Sequence, residues 1–355
     1  MRKEHSILIT VSALLCAMLI GYFLTRPSNQ QDEVLNRQAA ALGRFSGTLD
    51  QGLATTLPLP DGLFQVATDI VLAPVADPTS SDILYYHADN GFVSRADIAS
   101  RQSTLISQTA LPGLRDVIWS PNRIWVVTTF SGQGGPVFQY FNYQIRIHGT
   151  LPTSVVGAAF SPDSSLLALA QQIGDQTDII IAQPDGTDQR TILKTHLAHV
   201  TISWPQAHTL ALTAKDDIGL ASLYLLADNG GLTKIIDSET GLRTNWSPDG
   251  SKLLYWTAEG GLMIYDIAIN QYHAQALATT ADRCAWYANG QSIICAIDDK
   301  GETKIQRLNL ADNSIQTIVS NVIISPERMF LSSDQNFLII LSGNDHTLYA
   351  LKLQP

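Results

Sequence analysis

The sequence predicts an all-β protein: a seven-bladed β-propeller, with six blades as the alternative, preceded by one N-terminal transmembrane helix. Three observations carry the propeller. An aromatic or apolar anchor recurs at positions 72, 119, 160, 204, 246, 286 and 331, so that copies follow one another every 40 to 47 residues. That is the repeat length of a four-stranded blade. The apolar runs between anchors are short, rich in β-branched and aromatic residues, and bounded by turn residues, whereas helical repeats of similar period need longer runs. Charged residues make up only 15% of the chain against 45% hydrophobic ones, with 24 Gly; this suits a sheet protein with many tight turns.

The clearest copy is Asn245-Trp246-Ser247-Pro248-Asp249-Gly250, followed by Leu253-Leu254-Tyr255. Ala159-Phe160-Ser161-Pro162-Asp163 and Ile118-Trp119-Ser120-Pro121-Asn122 repeat it upstream, and Ala285-Trp286-Tyr287-Ala288-Asn289-Gly290 downstream. Trp204-Pro205 and Leu331-Ser332-Ser333-Asp334 are weaker copies, and Leu72-Ala73-Pro74 is a divergent first one. Each copy predicts a first strand ending at the anchor, then a tight turn in which Pro presets φ and Gly takes a positive φ. An apolar second strand follows, then a third and a more exposed fourth. The last copy runs out after its third strand. A segment around residues 55–64 is expected to supply the missing fourth strand and close the ring, which also protects the sheet edges.

Residues 6–25 contain no charge. As a helix they would span about 30 Å, the thickness of the bilayer hydrocarbon. Arg2 and Lys3 before them favour an inside N-terminus, and no small-residue cleavage site follows. The expected organisation is a cytoplasmic tail at 1–5, a signal anchor at 6–25, a stalk or linker at 26–55, and the propeller at 56–355. The body would then lie outside the cytoplasm, on a single-pass protein of the cytoplasmic (inner) membrane, in the periplasm.

Trp246-Ser247-Pro248-Asp249-Gly250, Phe160-Ser161-Pro162-Asp163 and the run Asp178-Ile179-Ile180-Ile181-Ala182-Gln183-Pro184-Asp185-Gly186-Thr187 resemble the WD40-like repeats of the TolB family of periplasmic propellers. The resemblance covers most of residues 69–355. It implies a propeller that binds a protein or peptide partner.

A net charge of −10 argues against a nucleic-acid partner, because phosphate neutralisation needs a basic surface. No Gly-x-Ser-x-Gly elbow, phosphate-binding glycine loop or His-Glu-x-x-His is present. No catalytic residue, cofactor or metal site is therefore expected. Cys284 and Cys295 flank Asn289-Gly290, a hairpin signal that would bring the thiols to adjacent strands. A disulfide and a pair of buried free thiols both fit.

Two sets of residues are candidates for binding. Three residues before the anchors of the last three blades stand Arg243, Arg283 and Arg328, near one mouth of the axial channel. They would suit a carboxylate or phosphate, or else tie blades together, with Asp69 expected beside Arg328. The loops between second and third strands would carry Asp175, Asp178, Asp216, Asp217, Glu259, Asp298, Asp299, Glu302 and Asp345, an acidic rim suited to a calcium ion or a basic protein partner, or to ordinary turn composition. His196 and His199 are expected on a surface loop leading to Trp204, with His208 beyond it; their spacing could help bind a metal, but no third ligand can be named. The leading function is a non-enzymatic binding or scaffold protein of a cell-envelope assembly or secretion complex. The alternatives are a metal-dependent carbohydrate-active or hydrolytic propeller, and a ligand sensor coupled to a membrane partner.

Overall fold

The computed structural model describes residues 59–299 and 301–354. The expected tail, anchor and most of the stalk lie outside this range. Among the described residues no helix is long and apolar enough to cross a membrane. They form seven four-stranded antiparallel sheets. Blade one runs Val71–Ser107, two Leu114–Thr150, three Val155–Thr195, four Thr201–Glu239, five Arg243–Ala274 and six Cys284–Val322. Blade seven takes its three inner strands from Pro326–Lys352 and its outermost strand from Leu63–Ala67. This closure strand is the one expected, shifted towards the C-terminus: Leu63 pairs with Leu351 and Ala67 with Leu348.

The copies explain how the blades are cut and joined. In each of blades two, three, five, six and seven the anchor pairs with the residue seven positions on, as Trp246 does with Leu253 and Leu331 with Leu338. The Ser that follows the anchor is buried in four of them. Ser247 Oγ donates to Asp249 at 2.6 Å and accepts the Lys252 N–H at 2.9 Å; Ser161 does the same with Asp163 and Leu166. The Ser-Pro-Asp motif is thus a closed turn whose hydroxyl is used twice. Those hydrogen bonds hold the Asp163 and Asp249 carboxyls below the ordinary aspartate range. Anchor indoles then stitch blades together: Trp119 Nε1 donates to the Ala73 carbonyl and Trp286 Nε1 to that of Asn245, each in the preceding blade.

Between the blades lie seven apolar clusters, one at each interface around the ring. Ala168, Ile179 and Ile181 of blade three meet Leu210, Leu212 and Leu226 of blade four. Both faces of every sheet are therefore buried, which is why the second strands read as continuous apolar runs rather than alternating ones.

Blade one departs from the expected register. There Ala76, not Leu72, pairs seven positions ahead with Ile83, while Leu72 pairs with Tyr86. The shift between Leu72 and Val75, with Ala73 at φ 49°, is a bulge that adds one residue to the strand. The true copy of the turn is Ala76-Asp77-Pro78-Thr79. Asp77 stands in for the serine, accepting the Thr79 N–H at 2.8 Å and pairing with Arg95 at 2.9 Å.

Turn glycines test this packing. Gly250 and Gly290 hold the same place in blades five and six, at φ 69° and 61°. A Cβ on Gly250 would overlap the Pro205 carbonyl oxygen of blade four, whereas on Gly290 it would meet nothing nearer than 3.8 Å. Gly290→Ala is expected to cost about 1 kcal/mol from backbone strain alone. Gly250→Ala should cost about 2 kcal/mol because overlap adds to the strain. Equal losses in chemical denaturation would contradict the interface.

Candidate functional site

The alternation of strands sorts the connections into two faces. Turns between first and second strands, and between third and fourth, lie on one face (the turn face). Loops between second and third strands, and those leading into each first strand, lie on the other (the loop face). The closure strand begins on the turn face, where the Gly62 carbonyl accepts the Lys352 N–H at 2.9 Å. Residues 59–62 therefore enter the ring at the turn face.

First strands line the axis. The residue three before the anchor falls at one level of the channel: Asp116 pairs with Thr129, Gly157 with Ala170, Arg243 with Trp256 and Arg328 with Leu341, each ten positions beyond its own anchor. Thr201, opposite Thr213, completes the level on blade four, where the turn is one residue shorter. On blade one the bulge moves the place to Leu72. Asp69 is not part of this ring; its carboxylate accepts the Tyr85 hydroxyl at 2.8 Å and lies 3.7 Å from His87.

The ring is divided. Asp116, Gly157 and Thr201 border a cavity of about 570 Å³ together with Phe160 and Trp204. Arginines occupy the other side. Arg283, at the end of a short 3₁₀ turn (Ala281–Arg283), grips Asp298 in bidentate fashion at 2.6 and 2.8 Å, and Thr303 braces the same carboxylate at 2.9 Å. That arginine ties the first two strands of its own blade. Arg243 and Arg328 are exposed to solvent, and among the described residues neither has an acidic group within ion-pair distance.

Arg328 is open to water yet surrounded by protein, as a side chain in an axial channel must be. That surrounding protein draws its guanidinium below the ordinary value, and Asp116, the acidic group it feels, opposes the fall. Arg123 is drawn down to about 10 by burial, with Asp77 opposing and Arg328 adding to the effect. Its Nε and Nη1 donate to the Ala76 and Ser120 carbonyls at 3.0 Å, closing the turns of blades one and two. Two buried side-chain donors lack an acceptor among the described residues: Trp204 Nε1, at the cavity, and Arg283 Nε.

The acidic set is only partly a loop surface. Asp175, Asp216, Asp217, Glu259, Glu302 and Asp345 are exposed on the loop face. Asp216 also shapes its loop, accepting the Ile218 and Leu220 N–H groups at 3.1 and 2.8 Å. Asp178 is a correction: it lies inside the third strand of blade three, Gln176–Ala182, and is buried near Lys194. Asp298 belongs to Arg283, and Asp299 pairs with Lys304. The loop face also carries exposed Ile70, Ile173, Ile218 and Ile323, which polar-loop reasoning passed over. The three histidines do not converge. His196 lies 3.9 Å from Asp175 on the loop face, whereas His208 binds Asp228 at 2.6 Å on the turn face. Among the described residues no group of three or more His, Cys, Asp or Glu could hold a metal ion.

Cys284 and Cys295 are direct cross-strand partners and form a disulfide, both fully buried. It lies one residue from Arg283 and locks the pair of strands that present it.

No protein-family model matches the chain, and no curated protein is similar to it in sequence. Solved structures are. An oligogalacturonate lyase in complex with manganese superposes with a TM-score of 0.60 at 13% identity, covering 82% of this chain and 93% of that one. An oligogalacturonate lyase from Vibrio parahaemolyticus gives 0.59 at 11% identity, with the same coverage. TolB from Acinetobacter baumannii gives 0.45 at 13% identity, covering 70% of this chain and 62% of that one. Identities this low speak to architecture alone, and what the two lyase superpositions establish with the strand order is that the described residues form a seven-bladed β-propeller.

Proposed function

We propose that this chain is a non-enzymatic, membrane-anchored binding or scaffold protein of the cell envelope, which offers the loop face of its propeller to a protein partner in an assembly or secretion complex. The observation that carries the reading is the make-up of the loop face, where Ile173 and Ile218 are exposed beside Asp175 and Asp217. Apolar tips among carboxylates suit a partner surface that is apolar at its centre and basic at its edge. The Cys284–Cys295 disulfide supports an oxidising, extracytoplasmic compartment.

The test is positional. A photo-crosslinking residue is placed at Ile173 or Ile218, or at the turn-face Ile269, in the full chain in its native membrane. Crosslinks to one partner are expected from the first two positions and not from the third. Ile173→Asp with Ile218→Asp should reduce partner recovery roughly tenfold while leaving the melting temperature unchanged. Crosslinks confined to Ile269, or metal-dependent cleavage of a glycan without any partner, would overturn the proposal.

A further inference from the structure

The channel has a feature that docking on the loop face does not require. Its seven level positions lie on the first strands or just before them: Leu72, Asp116, Gly157, Thr201, Arg243, Arg283 and Arg328. Arg283 is satisfied by Asp298. Arg243 and Arg328 face the channel without an ion-pair partner among the described residues, against the one carboxylate of Asp116. On the opposite wall Gly157 offers no side chain, and the cavity of about 570 Å³ opens there. The buried Trp204 indole N–H at that cavity has no acceptor among the described residues.

We infer that the channel is a binding site for a carboxylate, held by the guanidiniums of Arg243 and Arg328 with the rest of the ligand lying in the recess beside Gly157, Thr201 and Trp204. Three physical reasons support it. Neither guanidinium has an acidic partner within ion-pair distance among the described residues, so an anion there gains a charge-assisted contact without breaking an existing ion pair. The guanidinium fork matches the two oxygens of a carboxylate, so arginine in place of lysine selects a planar anion. A single orphaned N–H at the recess then suits a neutral acceptor, such as a carbonyl or hydroxyl, further along the ligand. The recess is large enough for a few residues' worth of chain or for a small organic acid.

This inference goes beyond the docking proposal and can fail separately from it. The test titrates succinate, inorganic phosphate and chloride into the full chain in detergent micelles, by calorimetry. Succinate is expected to bind, more tightly than phosphate, and Arg243→Gln or Arg328→Gln to weaken it roughly tenfold each. Because both side chains are solvent-exposed, the variants should melt as the native chain does. Should Arg328→Gln misfold, Arg328→Lys keeps the charge and loses the fork, and is expected to bind succinate more weakly than native. Heats for succinate no larger than for chloride, tighter binding of phosphate, or unchanged succinate binding in the Arg243→Gln/Arg328→Gln pair would each overturn the assignment. A competition arm identifies the source of the carboxylate. Release of a crosslinkable partner by succinate places it on that partner. Retention of the partner with succinate bound places it on a free acid.

Discussion

Leu63→Asp combined with Val66→Asp is expected to abolish cooperative unfolding of the propeller. Both residues are buried, and they serve different interfaces. Leu63 packs with Ile340 and Leu351 of blade seven against Ile294 and Ile305 of blade six, while Val66 packs with Ile339 and Leu348 against Ile83 and Tyr85 of blade one. Losing the burial removes about 2 kcal/mol at each site, and each new carboxylate is left buried without a partner, which costs several kcal/mol more. The total approaches the whole stability of a typical domain, about 5–15 kcal/mol. The third strand of blade seven would become an exposed edge, so aggregation should accompany the loss. Thr68→Asp, one residue beyond the strand and exposed, is the control and should change stability by less than about 0.5 kcal/mol. Circular dichroism melts of the three chains decide the matter: a double variant melting cooperatively near the native temperature would show that the strand is not what closes the ring.

The second large effect lies in blade six. The disulfide joins residues 11 apart, and closing a loop of that length restricts the unfolded chain by about 3 kcal/mol. Cys284→Ala with Cys295→Ala keeps the buried positions small and apolar, so the loss should be mostly this amount. Reductant should lower the melting temperature of the native chain towards that of the variant and leave the variant unchanged. A variant as stable as the native chain, or one equally sensitive to reductant, would contradict the assignment.

What could be read from the sequence was set by what repeats. The buried serine and the Asx two places on recur in blades two, three, five and seven, and blade six keeps the Asx, so the anchors of these five blades are found at their true places. Blade one was misread because its turn uses Asp77 in place of serine and its strand carries an extra residue at the Ala73–Pro74 bulge. Matching to Leu72 by resemblance skipped four positions, and it brought Asp69 to a ring where Leu72 belongs. The same turn logic hid Asp178, whose place two residues into a strand is fixed by pairing with Gln171 and Lys194. The arginine positions were legible because strand register is periodic. Their different fates were not: Arg283 finds Asp298 through the course of the neighbouring strand, and nothing local to Arg243 or Arg328 distinguishes them.

The pairing of Leu63 with Leu351 also governs when the molecule can come into being. These partners are separated by 288 positions along the chain (351 less 63). Bringing such distant segments together carries the largest loop-closure entropy in the fold, and topologies dominated by distant pairings fold slowly. During synthesis blades one to six can form in turn, each stacking on the one before. The strand Leu63–Ala67 must wait unpaired until Leu348–Lys352 has emerged. The ring, and with it the axial channel, then closes in a step that follows the other blades. A chain stopped before Leu348 would keep most of its sheets and have no enclosed channel.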